Sequence, residues 1–94
     1  MKNKIKNEII IKINEILVEN NIPKIDNLTV INLNNQASYL GNIEIFDYDL
    51  IETIENQLQQ LFENYGSCSI RNEEVVSCCK PDYKNISFKV NIDL

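Results

Sequence analysis

Ninety-four residues, 44% of them apolar, set the scale of one domain with a modest core. The formal net charge of −5 argues against nonspecific nucleic-acid binding, and no apolar run is long enough to span a bilayer. The absence of histidine removes the commonest general base, the Ser-His and Cys-His nucleophile pairs and the commonest metal ligand, and two glycines cannot build a phosphate-cradling loop.

Charge is unevenly spread. Residues 1–43, 44–74 and 75–94 carry +1, −7 and +1. The middle segment holds Glu44, Asp47, Asp49, Glu52, Glu55, Glu63, Glu73 and Glu74 against Arg71 alone. Richness in Ile, Asn and Lys with little Arg, Gly or Pro suggests an AT-rich genome, such as that of a low-GC bacterium or its phage.

The first predicted helix covers residues 3–20. Ile5, Ile9, Ile10, Ile13, Ile16 and Leu17 recur at helical spacing and face a core. Lysines precede an apolar patch here, as in a signal peptide. Lys12, Asn14 and Glu15 break that patch and no small-residue cleavage site follows, so the expected location is cytoplasmic. Lys2, Lys4, Lys6 and Glu19 oppose the helix dipole, so packing must hold this helix. Ile11 and Val18 project away from the stripe, which makes them candidate oligomer contacts. Asn20-Asn21-Ile22-Pro23 ends the helix, because Asn tolerates a left-handed backbone and Pro23 holds Ile22 extended.

Residues 28–34 read as a strand, Asn34-Asn35 as a tight turn and Ala37–Phe46 as the return strand, with Gly41 a bulge or bend. The second helix runs from Asp47 to Tyr65. Leu50, Ile51, Ile54, Leu58, Leu61, Phe62 and Tyr65 form its apolar stripe, and Asp49, Glu52, Glu55 and Glu63 fall on the other side. Two starts are open: Asp47 as N-cap with a Phe46–Ile51 staple, or Asp49 as N-cap with Glu52 completing a capping box. Gly66 suits a left-handed stop. A hairpin then covers residues 67–79, with a turn at Asn72-Glu73, Ile70 opposite Val75 and Cys68 opposite Ser77. Lys80-Pro81-Asp82-Tyr83 reads as a turn. Ile86, Phe88, Val90 and Ile92 alternate with polar residues in the last strand. The predicted fold class is α+β: a single small domain over residues 1–94, order α-β-β-α-β-β-β, with two helices packed on one face of an antiparallel sheet.

Chemistry is sparse. Cys68, Cys78 and Cys79 are an odd number, which suits reduced thiols. Adjacent Cys78 and Cys79 on a strand would point to opposite sides, a poor start for a zinc site, for which Asp82 is the nearest further ligand. Cys68 and Cys78, flanking one hairpin, are a candidate disulfide. Asp47 and Asp49, with Glu44 and Glu52 nearby, are the only pattern a divalent-cation enzyme could use, and helix capping explains both aspartates without a metal. Tyr39, Tyr48, Tyr65 and Tyr83 lack the interleaved basic residues of a nucleic-acid stacking platform. No metal and no cofactor is therefore expected, and no direct nucleic-acid or membrane binding.

What remains is a protein-binding module rather than an enzyme. Asp49, Glu52, Glu55, Glu63 and Tyr48 are the candidate partner-binding residues, and a protein with a basic surface is the candidate partner. The expected function is inhibition of a basic, nucleic-acid-handling protein, in the manner of phage anti-defence or anti-CRISPR-type proteins. The alternatives are an immunity protein against a nuclease toxin, and a homo-oligomeric structural or adaptor protein using Ile11 and Val18 and possessing an unpaired strand edge. A solvated, solubilising acidic face is the plainer account of the same charges.

Overall fold

Period-two alternation in three long segments builds a sheet with one apolar face, and two amphipathic helices cover it. The computed structural model describes residues 2–76, 78–79 and 81–93, with side chains from Lys4 onward. The elements are α1 (Lys2–Glu19), β1 (Thr29–Leu33), β2 (Gln36–Ile45), a 3-10 turn (Tyr48–Leu50), α2 (Ile51–Glu63), β3 (Ser67–Val75) and β4 (Tyr83–Asp93). The strands pair antiparallel in the order β1-β2-β4-β3. The α+β class, the antiparallel sheet and the two covering helices are those expected.

Register explains which face is buried. Tyr39 lies opposite Val90, Gly41 opposite Phe88 and Ile43 opposite Ile86, so these residues share one face. They meet Ile9, Ile13 and Leu17 of α1 and Ile54, Leu58 and Phe62 of α2 in a single cluster. The helices run antiparallel across it: Tyr65 Oη donates to Glu8 at 2.6 Å, and Asn20 Nδ2 donates to Gln57 at 3.0 Å. The opposite sheet face is laced with polar side chains. Ser87 Oγ and Asn85 Nδ2 donate to Asn42 Oδ1 at 2.9 and 3.2 Å, and Gln36 Nε2 donates to Asp93 at 3.1 Å.

α1 ends in a Schellman motif, with Ile22 N donating to the Leu17 carbonyl at 2.8 Å and Asn21 N to that of Val18 at 3.1 Å. Asn21 takes φ 59° there, and Asn34 takes φ 47° in the two-residue turn between β1 and β2. Asn14 then pins the returning chain: its Nδ2 donates to the Ile25 carbonyl at 3.0 Å and its Oδ1 accepts from Ile25 N at 2.8 Å. The side-chain amide acts as a one-residue strand for a loop that has no strand partner.

Three expectations about this frame are corrected. The hairpin over residues 67–79 is absent: β3 runs straight through Asn72 and Glu73, which lie opposite Ile86 and Asn85. Ile70 and Cys68 face Phe88 and Val90, not Val75 and Ser77. The observed order is therefore α-β-β-α-β-β. The reason is the eleven-residue β4, which offers all nine residues of β3 a partner; a separate hairpin would leave that edge unmatched. Ser77 itself, and Lys80 of the expected turn, lie outside the described residues, while Tyr83 belongs to β4. Gly41 is neither bulge nor bend, since β2 pairs with β4 without interruption from Gln36 to Ile45. Gly66 does not take a positive φ; instead it lets the chain pass against β4, where an added Cβ would sit 2.0 Å from the Asn91 carbonyl oxygen.

Candidate partner-binding surface

The start of α2 is fixed by Asp47. Its backbone is extended at φ −93° and ψ 101°, and its Oδ1 accepts from Asp49 N at 3.0 Å. Asp47 is thus the observed cap of the 3-10 turn. The Asp49–Glu52 box does not form, since the residue before α2 is Leu50, which has no capping side chain. Phe46, half exposed, stacks on Tyr83 with ring centroids 5.3 Å apart.

From this start α2 carries Glu52, Glu55, Gln59 and Glu63 at spacings of three, four and four, a single stripe. The stripe lies on the flank of α2 away from α1. Gln57 reaches α1 on the one side, whereas Glu55 accepts from Asn72 Nδ2 of β3 at 2.8 Å on the other. Gln59 Nε2 donates to Glu63 at 3.4 Å. Beneath the stripe β3 adds Glu74, while Glu73, opposite Asn85, lies on the other face of the sheet. Asp49, Glu52 and Glu63 are exposed and Glu55 is half-buried. Among the described residues the one ion pair is Lys12–Glu8 on α1, at 4.0 Å, so no carboxylate of the stripe is matched by a cation.

An aromatic group borders the stripe. Tyr48 Oη donates to Glu74 at 2.9 Å, and Lys84 Nζ stands 5.3 Å from the centre of the Tyr48 ring. Desolvation, then the hydrogen bond to Glu74 and the charges of Glu74 and Asp82, raise the Tyr48 phenol above its ordinary value. Sequence inspection singled out Tyr48 but missed Phe46, Tyr83 and Lys84. They meet only because the ladder sets Ile45 and Glu74 on either side of Lys84.

Tyr65 closes the far end against α1. Desolvation first, then the hydrogen bond to Glu8 and the Glu8 charge, push its phenol up to about 12. The ordinary phenol value of 10.0 applies to the unfolded chain. Between these values the unfolded state sheds a proton that the folded state keeps, so this contribution is whole below about pH 10 and is lost as pH rises toward about 12. Urea unfolding at about pH 9 and about pH 11 should show that loss, and Tyr65→Phe should reduce it; an unchanged pH slope in the variant would refute the assignment.

The cysteines are not gathered into one cluster. Cys68, half-buried on β3, has its thiol raised by desolvation and then by Glu63. Cys68 and Val75 lie roughly 23 Å apart along the strand at about 3.3 Å per residue, and the three residues from Val75 to Cys78 can reach back at most roughly 10 Å, which rules out the Cys68–Cys78 disulfide. The expectation that Cys78 and Cys79 diverge is also corrected. They occupy a bend rather than a strand, and both are exposed with Sγ atoms 3.1 Å apart. No group of three or more His, Cys, Asp or Glu side chains is placed to hold a metal among the described residues. Nor is any helix among them long and apolar enough to cross a membrane. Ile11 and Val18 are 59% and 53% exposed on the outer side of α1, in a shallow groove shared with Asn14, Glu15, Glu19 and Lys24.

Compared with protein families, curated proteins and solved structures, the chain matches none.

Proposed function

We propose that this chain is a protein-binding module that lays the α2–β3 flank on the basic surface of a nucleic-acid-handling protein and inhibits that protein by occupying its groove. The observation that carries this reading is the unmatched stripe: Asp49, Glu52, Glu55 and Glu63 pair with no cation among the described residues. Carboxylates held on a rigid helix at helical spacing lose little entropy on meeting a complementary surface. Their summed field raises the encounter rate and selects partners by charge. Tyr48, exposed beside the stripe and set by Glu74 and Lys84, supplies the aromatic anchor that charge alone lacks. Phage anti-defence proteins that occupy nucleic-acid grooves are the class this chemistry suits.

The test starts by identifying a partner in a host-cell pull-down and measuring its affinity by titration. The combined variant Glu52→Lys, Glu55→Lys, Glu63→Lys should weaken that affinity by about 100-fold or more while circular dichroism and melting temperature stay near wild type. Rising salt should weaken the wild-type complex. A partner that binds the triple variant as tightly as wild type would reduce the stripe to a solubilising face.

A further inference from the structure

β1 is an edge strand with no strand paired to its outer side among the described residues: Thr29, Ile31, Asn32 and Leu33 are all exposed and Val30 is half-buried. We infer that this edge pairs with the β1 edge of a second copy, antiparallel about Ile31, to join two four-stranded sheets into one of eight strands.

The backbone supports such pairing. Leu33 and Gln36 close the two-residue turn, and the closing pair of such a hairpin exchanges hydrogen bonds. Bonded pairs alternate along the ladder, so Leu33, Ile31 and Thr29 bond inward to β2. Val30 and Asn32 therefore turn their N–H and C=O groups outward. A two-fold axis at Ile31 sets Val30 opposite the partner's Asn32, and Asn32 opposite the partner's Val30. All four outward N–H groups and carbonyls are then matched, with the two Ile31 side chains adjacent on the open face.

Chemistry selects a second copy as the occupant. In a chain that is 24% charged, residues 27–43 contain no Asp, Glu, Lys or Arg. This edge lacks the charges and prolines that ordinarily block strand addition. Ile31 and Leu33, 43% and 60% exposed, form its outward apolar row, and two such rows meet across the axis with no like charges opposed. The other edge of the sheet is unsuited to self-pairing. β3 borders the carboxylates of α2, so two copies joined along it would bring two acidic flanks together, with Arg71 the one cation of residues 44–74 to offset them. A five-residue strand buries less than the 1,200–2,000 Å² typical of a stable complex, so the expected dimer is concentration-dependent, with micromolar affinity.

Sedimentation velocity from about 1 µM to about 1 mM should show mass rising from one chain to two. Ile31→Lys, which opposes two ammonium groups at the axis, should hold the protein monomeric. Asn32→Pro should do the same by removing an outward N–H, while leaving the bonds to β2 intact. Ile11→Lys, on the outer side of α1, should leave dimerisation unchanged. A cross-link supplies an independent readout. With Cys68, Cys78 and Cys79 each replaced by Ser, Ile31→Cys should form an inter-chain disulfide under mild oxidation, and Ile11→Cys should not. A single-chain mass at about 1 mM would overturn the inference. So would a dimer that survives both β1 variants, or one abolished by Ile11→Lys.

Discussion

Gly66→Ala is expected to destabilise the protein by about 3 kcal/mol, a large share of the roughly 5–14 kcal/mol available to a domain of this size. An alanine Cβ at this position would lie 2.0 Å from the Asn91 carbonyl oxygen and 3.1 Å from its carbon. Both are backbone atoms of β4, held by pairing to β2 and β3, so neither can turn aside as a flexible side chain would. A companion substitution separates crowding from backbone conformation. Asn ordinarily replaces Gly where a helix ends in a left-handed residue. Gly66 is not left-handed, so Gly66→Asn should fail as badly as Gly66→Ala. Urea unfolding of the two variants checks this. Rescue by Asn would show that conformation, not close approach, requires the glycine.

That glycine shows where local reading stops. Gly after a helical run was legible as a terminator, because helix periodicity and composition are local. Its true constraint comes from residue 91, which no window around residue 66 contains. The same division holds elsewhere. The apolar stripe of α2 and the alternation of β4 were readable because a repeat within one element dictates its buried face. The Asn72-Glu73 turn was misread because its residue preferences are weak beside nine ladder positions supplied by a distant strand. Asn14 looked like a polar interruption in an apolar helix, and its partner is the backbone of Ile25, eleven residues on. For the candidate surface, the spacing of Glu52, Glu55 and Glu63 was plain. That they overhang β3 rather than face straight out was not, since it depends on α1 taking the opposite flank.

The two proposed contacts divide the sheet between them. The carboxylate stripe borders β3, and the uncharged edge is β1, at the other end of the strand order. A dimer through β1 would leave the acidic flank of each copy open. Two linked flanks engage a partner with two basic sites at an effective concentration that one flank lacks. The charge segregation legible in sequence, acids gathered in residues 44–74 and none in 27–43, then serves both contacts. Repulsion keeps the β3 edge from self-pairing, and neutrality allows it at β1.

Phe88→Ala should cost about 4 kcal/mol, because the ring is 3% exposed at the centre of the core and stacks on Phe62 with centroids 5.3 Å apart. Its position also explains Gly41, the residue opposite it across the ladder. A Cβ on Gly41 would come within 2.5 Å of Phe88 Cζ and 2.9 Å of Leu28 Cδ2, so the ring lies over the space a side chain would fill. Unlike the obstruction at Gly66, both atoms are ends of side chains that can shift. Gly41→Ala should therefore cost less, about 1–2 kcal/mol, with part of the crowding offset by alanine's lower entropy loss in a strand. The two positions should be coupled. In a Phe88→Leu background the smaller side chain makes room, and Gly41→Ala should become nearly neutral, a coupling of about 1 kcal/mol in a double-mutant cycle. Urea unfolding of the four proteins measures it. Strictly additive costs would mean that Leu28, rather than Phe88, requires the glycine, and Leu28→Ala would then be the background in which Gly41→Ala is relieved.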